Sequence, residues 1–493
     1  MTAVARTPEV ARSAAGIVWH VAEACLAVAA FAVLCVLVLR TVPYLPEPDD
    51  YAYRASIVAM TDGHFFTLSG AQAHALAVRL APQAGGSRLR PGPGSGPGDG
   101  PGGGPVQWVR LPGGRWISEK DPGYPYLAAA FQALGLIRLA PLCYGALACL
   151  GLYLGGRRWL GRFGGAAAVG LYCSSGAAIL FAWRDYMPTF TEASLIAAGT
   201  GALLWVMLAD EASTRRRTWA GLAGFVALEA ATFSRYTNIV VLGCAVIAVL
   251  VAWRRRDARL PGSAVAWWLA SVCVFAAGVA IFNTLIYGGP LRSGYRPGEI
   301  TFSLSALGPN LRYMPGHLIQ AMPMLVLGLA ALAGIAVAWL RGRRAGGRRA
   351  AAARRDLAVA LALAACWAAV WVLYATYTWT AGPGLSTLQA ARFYVPALGA
   401  ISLLGAWLLA RVPRGRPLAA AVTTLVVVAA LFGLGGWAFH DMYEFPFGSQ
   451  FAVVHGPGGA IKVKPGQAVM IGGPGGAAPG GAGQAVRIQP SGG

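Results

Sequence analysis

The stretch Gly16–Arg40, GIVWHVAEACLAVAAFAVLCVLVLR, has His20 and Glu23 as its only polar interruptions before the closing arginine. About 20 such residues wound as a helix cross a hydrocarbon core of about 30 Å. The run is too long for the apolar core of a signal peptide and is followed by Thr41-Val42-Pro43 rather than by small residues. It therefore predicts a first transmembrane helix that is retained. Outward from it, after a polar stretch from Thr41 to Pro122, further apolar segments cover 124–155, 163–183, 187–208, 218–234, 237–253, 264–286, 317–340, 357–378, 393–410 and 417–438. The expected fold class is an all-α polytopic membrane protein of about eleven transmembrane helices, with helices in its outer-face loops.

Composition agrees. Of 493 residues 56% are hydrophobic and only 12% charged, against about 25% charged in a soluble chain. The formal charge of +21 would point to nucleic acid if it formed a patch, but the arginines come in bursts between apolar runs: Arg157, Arg158 and Arg162; Arg215 to Arg217; Arg254 to Arg256; Arg341 to Arg355; and Arg411, Arg414 and Arg416. With eleven helices all five bursts fall on one side, as the positive-inside rule requires, and no nucleic-acid partner is implied. The predicted location is the inner (plasma) membrane, with a cytoplasmic N-terminus at 1–15, a transmembrane domain over 16–438, and an outer-face Gly-rich tail over 439–493. Residues 84–105, almost all Gly, Pro and Ser, are expected to form a disordered insertion in the first outer loop, 41–122. Short strands are expected in the tail near 460–463, 468–471 and 485–488. The eight cysteines lie in or beside apolar runs without a CxxC spacing and read as small lipid-phase or core residues.

Ionisable residues gather on the predicted outer side. Pro46-Glu47-Pro48-Asp49-Asp50-Tyr51-Ala52-Tyr53 follows the first helix directly. Its adjacent carboxylates can act as a general base with an orienting or metal-binding partner, or can cap an amphipathic helix from Tyr51 to Met60 whose Ile57, Val58 and Met60 rest on lipid. Trp116-Ile-Ser-Glu119-Lys120-Asp121-Pro122-Gly-Tyr124 precedes the second span, where the lysine either meets a lipid phosphate or anchors the interface. Arg184 beside Asp185, Arg235 and Arg392 stand at outer helix ends, against the positive-inside rule, and Arg292, Tyr295 and Arg296 lie in a later outer loop. Singly such arginines snorkel; together they can hold an anionic headgroup beside a general base. Glu23 and Glu229, inside predicted spans, are where a transporter or lipid-linked saccharide flippase reading would begin. An envelope polysaccharide polymerase would lean on Arg292, Arg296 and Arg312 instead.

At these residues the chain resembles the lipid-linked-sugar glycosyltransferases of the GT-C fold, in the branch of protein O-mannosyltransferases and lipid A aminoarabinose transferases (glycosyltransferase family 39/83-like). Asp49-Asp50-x-x-Tyr53 with Asp62-Gly63-His64-Phe65 is similar to that family's Asp-Glu-x-x-Tyr and later Gly-Asp-Trp stretch. Glu119-Lys120-Asp121-Pro122 resembles its Glu-Lys-Pro segment, and Arg392-Phe393-Tyr394-Val395-Pro396 its Arg-Tyr-x-x-Pro. Arg157 to Phe163 and Trp183 to Pro188 match the intervening turns in order. Asp50 stands where the family has Glu, and Asp121 where it has a first proline. The resemblance implies a polyprenyl-phosphate sugar donor, an inverting transfer to a protein, lipid or glycan acceptor at the outer face, and contact with membrane lipid. It places Lys120 at the donor phosphate; with it, Asp49, assisted by Asp50, is expected to take the acceptor proton, and some of Arg184, Arg235 and Arg392 to join Lys120 on that phosphate. Tyr53, Glu119, Asp121, Asp185, Tyr295 and Arg296 are further candidates. No cofactor is certain; a divalent metal, if used, would sit on Asp49, Asp50 and Asp185.

Overall fold

The computed structural model describes residues 8–41, 48–80, 104–209, 211–255, 260–295, 298–345, 347–381, 385, 387–411 and 417–447, with four short strands in the tail. The expected insertion at 84–105 lies outside the described residues except at its last two positions. Helix α1 (Pro8–Arg40) leads into α2 (Pro48–Thr61), α3 (Gly70–Leu80) and the hairpin β1 (Trp108–Arg110) with β2 (Trp116–Ser118), which build the first loop. Then come α4 (Gly123–Ala133), α5 (Ala140–Leu160), α6 (Gly164–Cys173), α7 (Gly176–Ala182), α8 (Pro188–Leu208), α9 (Thr214–Ser234), α10 (Ile239–Arg254) and α11 (Gly262–Tyr287). The last group is α12 (Leu307–Ala321), α13 (Leu325–Ala345), α14 (Gly347–Ala375), α15 (Thr387–Ala391), α16 (Leu398–Arg411) and α17 (Pro417–Phe447). The tail pairs β3 (Ala452–Gly456) with β4 (Gly459–Val463), and β5 (Ala468–Met470) with β6 (Ala485–Arg487), close to the expected strands.

Among the described residues, eight helices are long and apolar enough to cross a membrane, and nine if α6 and α7, bent by 61°, count as one broken span. The chain is an integral, multi-pass membrane protein. The other two of the eleven expected spans are also helical. One is α9, which opens on Arg215, Arg216 and Arg217; the other is the short stretch Val395–Arg411.

The second span, in which Arg138 and Pro141 predict an interfacial or kinked helix from Tyr124 to Leu139 before a shorter crossing, divides into α4, lying before the crossing, and α5, which starts at Ala140 with Pro141 in its first turn, a residue suited to that place because it has no amide proton to leave unpaired. One boundary is corrected. The segment 317–340 is split at Met322-Pro323-Met324 between α12 and α13. The interior is one large apolar cluster dominated by Ala, Leu and aromatic side chains. Where α5 meets α8, Gly151 faces Ala198 and Gly155 faces Gly201, so that the backbones approach closely, as membrane helices do when dispersion replaces the hydrophobic drive.

The two ends of the bundle are fastened differently. At the end where α5 finishes, buried Asp356 of α14 accepts hydrogen bonds from the indoles of Trp159 (3.1 Å) and Trp407 (3.2 Å) and pairs with Arg411. One carboxylate thus ties α5, α14 and α16. At the other end the first loop packs down on α4 and on the turn before α8: Tyr53, Ile57, Tyr124, Ala128 and Met187 form a small core. Ile57, expected against lipid, is fully buried there.

Candidate active site

Helix α2 begins with Pro48 and carries Asp49 and Asp50 in its first turn, where the exposed amide dipoles favour negative charge. Consecutive residues of a helix project about 100° apart, so the two acids face different partners. Asp49 lies between the ammonium of Lys120 (3.1 Å) and the guanidinium of Arg392 (3.0 Å). Asp50 turns inward and is held by two nitrogens of Arg184, at 3.2 and 2.5 Å, with both side chains fully buried. Asp49 keeps 18% side-chain exposure, whereas Lys120 and Arg392 keep 8% and 9%. The opening above Asp49 therefore also gives access to the cations. Burial works against the charged form of Asp49, but Arg392 and Lys120 outweigh it and hold the carboxyl well below the usual carboxylate range.

Lys120 is placed by backbone contacts. The hairpin hands the chain from Ser118 to Glu119, whose amide donates to the Gln107 carbonyl (3.0 Å), and the Lys120 amide donates to Ser118 Oγ (3.2 Å). Gly123 opens α4 so tightly against α9 that a Cβ there would lie 2.3 Å from the Phe233 carbonyl carbon. On the other flank Gly294 presses on Glu119, where a Cβ would sit 2.5 Å from that residue's Cα. The Glu119 carboxylate is 3.1 Å from Lys120, and the Tyr295 ring lies 5.1 Å from the ammonium. Burial lowers the proton affinity of Lys120, but Asp49 and Glu119 outweigh it and keep the ammonium protonated above its ordinary range. Burial also raises the Glu119 carboxyl and lifts the Tyr53 and Tyr295 hydroxyls well above theirs. Arg392, which follows α15, rests on Trp379 and Phe393, at 5.0 and 4.6 Å from the ring centres.

The remaining expected residues occupy a second layer. Arg235, just past α9, pairs with Glu192 of α8 at 3.1 Å, and its other nitrogen donates to Thr189 at 3.4 Å. Asn238 completes the Glu192 carboxylate at 2.8 Å. Asp121 accepts from the Tyr236 amide (3.4 Å), and burial pushes its carboxyl up to about 6 despite Arg235. Asp185 sits 3.9 Å from Arg138, with one oxygen lacking a hydrogen-bond partner, and burial pushes it up to about 7. Its backbone carbonyl accepts from the Tyr124 hydroxyl. Tyr53 packs edge-on against Tyr124 at 6.0 Å. Arg296 lies outside the described residues.

The structure thus brings Asp49, Lys120, Arg392, Glu119 and Tyr295 together, and it directs Arg184 to Asp50 and Arg235 to Glu192. Among the described residues no three His, Cys, Asp or Glu side chains gather to hold a metal ion. Asp49, Asp50 and Asp185 each face arginine or lysine and do not converge as a ligand set. Glu23 lies 3.8 Å from Arg157 near the far end, and Glu229 accepts from Ser271 (2.9 Å), so these two share no partner. Glu192 was missed in the sequence. It is an ionisable residue inside the 187–208 segment, and the rule that singled out Glu23 and Glu229 finds it. Trp379 carried no signal, since only the folded chain stacks it on Arg392.

Beside Lys120 a narrow cleft, open to solvent, runs between the first loop and the ends of α4 and α11. Phe65, Phe66, Trp108, Tyr126, Phe282 and Tyr287 line it. Phe65 and Phe66 are more than half exposed at its edge.

No protein-family model matches this chain. No curated protein sequence matches it either. Solved structures are similar to it at low identity. ArnT from Cupriavidus metallidurans in the apo state is 16% identical, over 81% of this chain and 61% of that one, with a TM-score of 0.45. The same protein bound to undecaprenyl phosphate is 16% identical, over 87% and 71%, with a TM-score of 0.46. The apo oligosaccharyltransferase of Archaeoglobus fulgidus is 12% identical, over 84% and 56%, with a TM-score of 0.45. The chain thus spans about three fifths of the length of the first of these.

Proposed function

We propose that this chain is a membrane glycosyltransferase that moves a sugar from a polyprenyl-phosphate donor to an acceptor hydroxyl, with inversion at the anomeric carbon, at the outer face of the membrane. The observation that carries the reading is the partly exposed carboxylate of Asp49 set between Lys120 and Arg392, with Lys120 also lining an aromatic cleft. A base and two cations within one side-chain reach are what displacement at a phosphate-bearing carbon requires. Asp49 takes the acceptor proton as the hydroxyl oxygen forms its bond to the anomeric carbon. The bond from that carbon to the phosphate oxygen breaks, and its electron pair stays on the phosphate. Lys120 and Arg392 face the charge that develops there, fixed in place by Tyr295, Trp379 and Phe393 before the reaction begins.

In this reading Asp50 and Arg184 act structurally. Their buried two-point pair fixes the first turn of α2, and hence the direction of Asp49, against α7 and α8. Arg235 with Glu192 supports Asp121 and the turn into α4 from below. No step runs through a metal.

The test is transfer by the chain in lipid nanodiscs from a sugar-loaded polyprenyl phosphate, with acceptors found by mass spectrometry of envelope glycans and glycoproteins in cells with and without it. Lys120→Ala should lower the transfer rate by about 10²-fold or more, as loss of a charge-stabilising donor does. An unchanged rate would remove Lys120 from the reaction.

A further inference from the structure

The proposed base is held, as the structure stands, by the two cations assigned to the substrate. Asp49 occupies the place of an anion: it is 3.1 Å from Lys120 and 3.0 Å from Arg392, and those cations are otherwise nearly buried. Glu119 reaches Lys120 only. A carboxylate this well matched is a poor proton acceptor, since taking a proton would forfeit both ion pairs.

We infer that Asp49 is an internal stand-in for the donor phosphate, which on binding takes Lys120 and Arg392 from it and so frees the base only once a lipid phosphate is in place. The inference rests on the proposed function, because it needs a phosphate-bearing donor at this site. Charge is conserved throughout. A donor phosphodiester brings one negative charge and shares the two cations. On transfer Asp49 gains the acceptor proton and becomes neutral, while the departing phosphate becomes a dianion and holds both cations undivided. When Asp49 gives up that proton to solvent it competes for Lys120 and Arg392 again and loosens the product. One carboxylate would then couple donor arrival, proton abstraction and product release, and water reaching the site without donor would meet an inactive base.

Geometry also separates Asp49 from its neighbours. Asp50 cannot play this part, because Arg184 holds it at two points in a fully buried pair. Removing Glu119 relieves one cation, whereas removing Asp49 relieves both.

The experiment measures binding of undecaprenyl phosphate, with undecaprenol as the uncharged control, to the full chain in nanodiscs at fixed ionic strength. Asp49→Asn should bind the lipid phosphate about tenfold or more tighter than the unaltered chain, and Glu119→Gln should gain severalfold less. Equal or weaker binding by Asp49→Asn, or a larger gain from Glu119→Gln, overturns the exchange and leaves the transferase reading standing. No preference for the phosphate over undecaprenol in any of the three chains overturns both. A structure of the unaltered chain with undecaprenyl phosphate needs no variant. Lys120 and Arg392 should lie on the phosphate, with Asp49 beyond ion-pair distance from at least one of them. Both original ion pairs persisting beside bound lipid would refute the proposal.

Discussion

Asp356 and Asp49 stand at opposite ends of the helical bundle, and each is a carboxylate met by several donors from distant parts of the chain. Asp356 is enclosed by two indoles and Arg411, all from helices that pack together whatever the protein does. Asp49 is enclosed by two cations, one on a hairpin exit and one after a five-residue helix, and keeps an opening to the outside. Two indoles that bind no other anion hold Asp356 whatever Arg411 does, whereas the ammonium and guanidinium on Asp49 can exchange one anion for another. The same motif of a buried acid therefore fastens helices at one end and remains exchangeable at the other.

Removing the two carboxylates should separate these roles most sharply. Asp49→Asn is expected to lower transfer by about 10²–10⁴-fold, the usual range for a positioned base. Asp356→Asn should leave kcat unchanged in the folded fraction, by the same nanodisc assay. Equal losses would make the comparison meaningless. Next, Arg392→Ala should reduce kcat/KM by about 10²-fold, and Arg392→Lys should recover only part of it, because a point charge lacks the planar fork and the stacking on Trp379 and Phe393. Complete recovery by lysine would show that charge alone matters there.

A smaller effect tests the fastening end. Asp356→Asn, keeping shape but losing charge beside Arg411, should cost about 1–3 kcal/mol, read as a lower midpoint of thermal unfolding in detergent. A pH-dependent effect concerns Asp185. Burial, opposed by Arg138 and reinforced by Asp50, raises its carboxyl from 3.8 to about 7 in the folded chain. A raised acid favours the folded state fully below its unfolded value and loses that advantage as pH climbs to the folded one. Over about pH 4 to 7, then, the unaltered chain should lose stability relative to Asp185→Asn, in melting curves of the two proteins. A difference that does not change with pH would place the charge elsewhere.

The helical segments were legible because a run of apolar residues can satisfy its backbone in lipid only by winding, and Gly16–Arg40 leaves no other solution. Asp49, Lys120 and Arg392 were legible as a group because each breaks an expectation for its place: charge at an outer helix end, or acids beside a membrane. Which cation would meet which acid was not. Arg184 and Arg392 read alike in sequence, and only the 100° between Asp49 and Asp50 on α2 sends one guanidinium into the core and the other to the rim. The break between α12 and α13 was hidden within an apolar run, where hydropathy hardly registers Pro323. Ile57 was misread because a helix lying on a membrane and one wedged against α4 share the same apolar stripe.

Gly294 offers a last consequence. Because its backbone lies against that of Glu119, the segment after α11 bears directly, through main-chain contact, on the residue next to Lys120. Sequence drift in that segment can therefore shift the ammonium by fractions of an ångström while every ionisable residue stays as it is. Under the proposed function, descendants of one ancestral chain would diverge in substrate fit by such mechanical adjustment, and a comparison of their charged residues alone would find them identical.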